Sequence, residues 1–130
     1  VATDFEHRSF AQELDLCQRY YQRYTSGNNS FRYLCVGTMD NDNATGQFVF
    51  NFIKPFRTNV SSMDTTGDAT DYAMRVATTE TCTSVPSFSA SSNHSCFLNF
   101  AKTNIGFSTG LAVLGILRSN NSYLGFSAEL

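Results

Sequence analysis

A chain of 130 residues reads as a single domain, long enough to bury about two thirds of its unfolded surface and to build a core without metals or disulfides. Only 15% of its residues are charged, against about 25% in an ordinary soluble domain. A net charge of −2 with no basic block excludes the electrostatic footprint of nucleic-acid or anionic-membrane binding, and no apolar run approaches the roughly 18 residues of a membrane span. Twelve Phe and six Tyr without a Trp suit a β-rich protein with much of its surface engaged by neighbours.

The first element is a helix within Asp4 to Tyr24, spanning about residues 9 to 24. Ser9 stands at the N-cap with Gln12 three residues later, the capping-box spacing. Phe10, Leu14, Cys17, Tyr21 and Tyr24 recur at steps of four, three, four and three, which gathers them into one helical stripe. Gln12, Glu13, Asp15, Arg19, Gln22 and Arg23 fall largely outside it. The stripe must lie on the rest of the domain or on copies of it. Thr25-Ser26-Gly27 closes the helix, with Gly27 free to take a positive φ.

These residues also carry a resemblance. Ala2, Thr3, Phe5, Glu6, Arg8, Ser9, Glu13, Leu14, Cys17, Gln18, Arg19, Tyr20 and Tyr21 fill the pattern A-T-x-F-E-x-R-S-x-x-x-E-L-x-x-C-Q-R-Y-Y. That pattern resembles a motif of tailed-bacteriophage virion proteins, especially the C-terminal modules of tail fibres. Asp4 stands where family members usually carry Pro. Phe52 to Val60 and the closing Gly125 to Leu130 resemble later family segments more weakly. The resemblance implies a structural or adhesive module, the C-terminal part of a longer protein, with no catalytic motif. It also implies localisation in the virion, assembled in the host cytoplasm and exposed outside the cell.

After the helix the chain reads as strands between polar turns. Phe31 to Met39 is the first strand, with Phe31, Tyr33 and Cys35 on one side. Gln47 to Lys54 alternates, Phe48, Phe50 and Phe52 on one face and Val49, Asn51 and Ile53 on the other. Pro55 ends that strand, and Phe56 to Met63 forms the next. Tyr72 to Ala77 is a short strand. Thr78 to Ser95 is a long Ser/Thr-rich stretch holding a brief strand at Ser87 to Ala90. Cys96 to Lys102 alternates again, Ile105 to Ser108 is a short strand, and Leu111 to Arg118 is strongly apolar. Ser119 to Ser122 reads as a hairpin turn into Tyr123 to Leu130, whose Leu124, Phe126, Ala128 and Leu130 point inward. The expected fold is mainly β: an antiparallel, jelly-roll-like β-sandwich with one N-terminal α-helix. The Phe-rich runs are hazardous as bare edges and need cover from a sheet, a helix or another subunit.

Site chemistry is sparse. Cys17, Cys35, Cys82 and Cys96 lack C-x-x-C spacing and read as buried thiols, with Cys82 and Cys96 the pair a hairpin could bring together. His7 and His94 cannot be joined to a nucleophile, and no phosphate loop is present, so no enzyme activity and no cofactor are expected. Asp40 and Asp42 have the alternate spacing of calcium loops, but the bidentate Glu is missing and Asx turns explain them, so no metal is expected. Five N-x-S/T sequons begin at Asn28, Asn43, Asn59, Asn93 and Asn120. In a bacterial virus they are by-products of a polar surface; in a eukaryotic one they are glycan acceptors.

Two functions follow from different classes. One is a virion structural module, fibre or capsid decoration, that forms a homotrimer through Phe10, Leu14, Cys17, Tyr21 and Tyr24 together with an apolar sheet face. Its partners are copies of itself and other virion structural proteins. The other is a receptor-binding module that holds host-surface glycans in loops carrying Asn28, Asn29, Asp40, Asp42 and Asn43. With no Trp in the loops and three of the six Tyr on the helix, the structural reading is preferred.

Overall fold

The computed structural model describes residues 8–28 and 31–128. A short helix α1 (Phe10–Gln18) leads into β1 (Tyr21–Thr25), followed by β2 (Arg32–Met39), β3 (Thr45–Asn51) and β4 (Ser62–Thr65). A 3-10 turn (Ala69–Asp71) precedes β5 (Tyr72–Arg75), β6 (Thr79–Thr81), β7 (Ser87–Ser91) and β8 (Ser95–Ala101). The last strands are β9 (Ala112–Leu117) and β10 (Tyr123–Ser127). They form two antiparallel sheets: three strands in the order β1-β10-β4, and seven in the order β6-β5-β9-β2-β3-β8-β7. This is the mainly β, two-sheet architecture with one helix that the alternating sequence predicts.

The core fills the space between the sheets. Phe48, Phe50 and Phe52 point inward and are at most 9% exposed, while Val49 and Ile53 face out at 58% and 75%. Cys96, Leu98 and Phe100 repeat the pattern on β8. Phe126 of the short sheet meets Phe50 and Phe52 of the long one at centroid distances of 5.5 and 5.1 Å. Leu124, Phe126 and Ala128 are buried as expected, whereas Leu130 lies outside the described residues.

Four expectations are corrected. First, the helix does not run to residue 24. It ends at Gln18, and Tyr21 to Thr25 pairs with Ser127 to Tyr123 as a strand. In this segment Gln22 and Tyr24 are buried while Arg23 and Thr25 face solvent, a period of two. Pairing with β10 and burial of Tyr24 override the local helical spacing. Second, Ser119 to Ser122 does not close a hairpin. β9 already has β2 and β5 on its two sides, so β10 has no free edge there and crosses to the other sheet.

Third, Phe56 to Ser61 is irregular and only Ser62–Thr65 forms a strand. The Phe56 N–H donates to the Asn93 carbonyl, that of Arg57 to Arg19 and that of Ser61 to Ser127. Three partners in three different segments make no ladder, although Phe56 and Val60 still point inward. Fourth, Ile105 to Ser108 forms no strand: Asn104 and Gly106 both take positive φ (57° and 74°), which breaks an extended run on either side of buried Ile105. Within the long Ser/Thr-rich stretch β7 falls where expected, and β6 is an addition.

Candidate functional site

The helix is well started but poorly covered. The Gln12 N–H donates to Ser9 Oγ (3.3 Å), and Gln12 Oε1 accepts from the Ser9 N–H (2.9 Å), the reciprocal capping box. No side chain of α1 is buried. Phe10 is 84% exposed and Leu14 44%, and Cys17 is also exposed. Of the two placements the sequence leaves open for the helix stripe, packing on its own sandwich does not occur. What holds α1 is polar. Asp15 pairs with Lys54. Buried Gln22 donates from Nε2 to the carbonyls of both Gln18 (2.9 Å) and Lys54 (2.7 Å), tying the helix end to the loop after β3.

Of the five residues of the expected stripe, Phe10, Leu14 and Cys17 stay together on α1. Tyr21 and Tyr24 leave it for β1. Tyr21 lies across Gly125, where a Cβ would sit 2.2 Å from its hydroxyl, and its oxygen accepts from Arg23 Nε (3.2 Å). Tyr24 is a core residue at 5% exposure. Its hydroxyl donates to Gln22 Oε1 (2.7 Å) and accepts from the Ile53 N–H (3.0 Å). It has no surface with which to meet a neighbour.

A second apolar surface lies on the outer face of the long sheet. Val36 pairs with Leu114 and Val49 with Phe97. The register that sets Gly37 opposite Phe48 also brings Val36 beside Val49. The four side chains thus form a row across β9, β2, β3 and β8. Val36 is 63% exposed and Val49 58%, with Leu114 and Phe97 half-buried. The alternation of each strand signals this face, but only the register assembles it into one row.

The polar loops divide. Asp40, Asp42 and Asn43 sit at one end of β2 and Asn28 at the other, roughly 25 Å apart at the usual rise per residue. Asn29 lies outside the described residues. Asp42 accepts from the Ala44 and Thr45 N–H groups (both 2.9 Å) and from Thr45 Oγ1 (2.8 Å). These bonds, the Ala44 amide first, hold its carboxyl below the ordinary carboxylate range. Asp40 accepts from Asn41 N (2.7 Å) and Gln47 Nε2 (2.9 Å), and Asn43 Oδ1 accepts from Thr109 Oγ1 (2.7 Å). The loop is an Asx-type turn whose carboxylates serve its own backbone. Asp42 and Asn43 also border an open groove of about 490 Å³ with Thr103, Asn104 and Gly106.

The other candidates are dispersed. Among the described residues no three His, Cys, Asp or Glu side chains converge as a metal set would. His94 is exposed, and His7 lies outside the described residues. All four cysteines are free thiols, Cys82 and Cys96 buried and Cys35 half-buried. Burial is the main force pushing the thiols of Cys35, Cys82 and Cys96 up to about 12. Four of the sequon asparagines, Asn28, Asn43, Asn59 and Asn120, are exposed, and Asn93 is half-buried. Among the described residues no helix is long and apolar enough to cross a membrane.

One cluster went unrecognised in the sequence. Arg19, Lys54, Arg57 and Asn93 border a single groove beside the helix end. They come from three separated segments, and nothing in their spacing announces the convergence. No protein-family model, curated protein or solved structure matches the chain.

Proposed function

We propose that this chain is a structural module of a virion, of fibre or capsid-decoration type, which assembles as a homotrimer and joins the fibre to other virion proteins. The observation that carries the reading is α1. It is capped at its start and anchored at its end, yet it buries none of its side chains and presents Phe10 at 84% exposure beside Leu14 and Cys17. An isolated helix of nine residues is marginal in water, since helices shorter than about 12–15 residues rarely hold alone. The exposed row of Val36 and Val49 offers a second apolar surface on the same chain.

A second copy is the occupant that fits. Closed three-fold association would cover an apolar helix and a sheet face at once and end in a closed particle. The virion assignment comes from the resemblance of residues 2–21 to tail-fibre modules. Sedimentation velocity and native mass measurement at micromolar concentration test it. A particle of three chains is expected, and a monodisperse monomer sinks the reading.

A further inference from the structure

The groove beside the helix end has a chemistry that assembly does not use. Its borders are Asp15 and Arg19 of α1 and its C-cap, Lys54 to Arg57 from the loop after β3, and Asn93 from the turn before β8. The three segments are fixed to one another through backbone groups. The Arg57 N–H donates to the Arg19 carbonyl (2.9 Å), and that of Phe56 to the Asn93 carbonyl (2.7 Å). Gln22 holds the Gln18 and Lys54 carbonyls from below. Phe56 is buried beneath the groove at 2% exposure. The walls therefore keep their spacing whatever the side chains do.

Charge is concentrated here. Arg19, Lys54 and Arg57 meet one carboxylate, Asp15, which is paired with Lys54. Three cations against one anion leave +2 at this point of a chain whose net charge is −2. Arg57 reaches sideways to the Tyr20 hydroxyl (3.2 Å) and leaves further N–H groups open to the groove. Like charges gathered in a concave site raise the local concentration of anions. An arginine fork matches a planar carboxylate through two parallel hydrogen bonds.

The groove measures about 470 Å³, within the roughly 300–1,000 Å³ range of small-molecule sites. Asn93 supplies a neutral polar partner, and the Arg57 guanidinium lies over the Tyr20 ring, 5.9 Å from its centroid. Nucleic acid fits poorly. The groove holds three cations, Arg19, Lys54 and Arg57, too few to follow a phosphate backbone. We propose that this groove binds an acidic saccharide, a sugar of one or two rings whose carboxylate lies between Arg19 and Arg57 and whose hydroxyls meet Asn93. This inference rests on the groove and not on the trimer. A monomer that binds the sugar refutes only the assembly reading, and a trimer that ignores it refutes only this one.

The test uses the full chain, with digalacturonate as the probe and its methyl ester, close in shape but uncharged, as the control. Titration followed by amide NMR should give saturable shifts at Arg19, Arg57 and Asn93 with digalacturonate and none with the ester. Raising the salt from 50 to 500 mM should weaken binding severalfold, at roughly the rate of a partly exposed ion contact. The double variant Arg19→Gln/Arg57→Gln should lose at least tenfold in affinity. Asn93→Asp, which leaves both arginines and the backbone bond to Phe56, should lose binding as well. Asp15→Asn, which removes the competing carboxylate, should tighten it severalfold, a gain that no purely structural role predicts. Equal binding of acid and ester overturns the proposal. So does unchanged affinity in the double variant, or inorganic sulfate that competes as well as the sugar.

Discussion

Tyr24 stands edge-on to Phe50, with ring centroids 4.8 Å apart and planes at 86°, and this contact joins the short sheet to the long one. The same Tyr24 ring lies 6.0 Å from Phe126. Its hydroxyl is a relay between Gln22 Oε1 and the Ile53 N–H, so that β1, the helix anchor and the loop after β3 all close on one phenol.

Tyr24→Phe keeps the ring and removes the relay. Two polar groups are then left without their partner in a largely buried setting. The expected cost is about 1–3 kcal/mol in unfolding free energy, read from the denaturant midpoint. The assembled mass should not change. A variant as stable as the parent but dissociated would place Tyr24 at an interface and contradict its burial.

Gly37 is required by close approach and not by backbone conformation. A Cβ there would sit 1.9 Å from the Gln47 carbonyl oxygen and 2.8 Å from the Phe48 ring. Since β2 and β3 are paired at this point, the backbone cannot yield without opening the ladder. Gly37→Ala should destabilise by about 3 kcal/mol or more, beyond ordinary overpacking. Gly67→Ala, with open space around it, should cost less and act only through its φ of 84°. Equal melting temperatures for the two variants would contradict a tight β2–β3 seam.

The two surfaces proposed for assembly can be separated by charge. Leu14→Glu on α1 and Val49→Lys on the outer sheet face both touch exposed positions. Neither should shift the unfolding midpoint of the monomer by more than about 0.5 kcal/mol. Each should dissociate the proposed trimer if its surface is buried there, because a charge would be left unpaired at the seam. If sedimentation changes with neither variant, neither surface is the interface.

The cysteines make a pH and reactivity prediction. Cys17 is exposed and should react with a thiol reagent in the native state, while Cys82 and Cys96 should wait for unfolding. Burial raises the buried thiols from about 9 to about 12. A thiol raised in the folded state contributes stability that is complete below its unfolded pKa. That stability is lost as pH climbs toward the folded value. Melting temperature should therefore fall progressively between about pH 9 and 12. Replacing both Cys82 and Cys96 by Ala should lessen that slope, at the expense of core packing. An unchanged alkaline slope in the double variant would assign it to other groups.

Much of the fold could be read without coordinates, because its signals are local. The capping box needs only Ser9 and Gln12 three residues apart. Phe48, Phe50 and Phe52, or Cys96, Leu98 and Phe100, alternate on a period that a strand imposes on itself. Such patterns determined the inward faces of β3, β8 and β10, a helix that starts after Ser9 and the antiparallel sandwich, but not where that helix ends.

What the chain could not announce is where those faces find their partners. Tyr21 and Tyr24 fit a helical spacing as well as a strand, and the choice was made by β10, a hundred residues away, whose backbone groups they satisfy. The route of β10 was decided in turn by the two strands already flanking β9. The groove of Arg19, Lys54, Arg57 and Asn93 depends on the same non-local hydrogen bonds, between Arg57 and Arg19 and between Phe56 and Asn93. Periodicity along a chain determines which side of an element is apolar. Only backbone pairing between distant segments decides which elements adjoin, and so which side chains share a site.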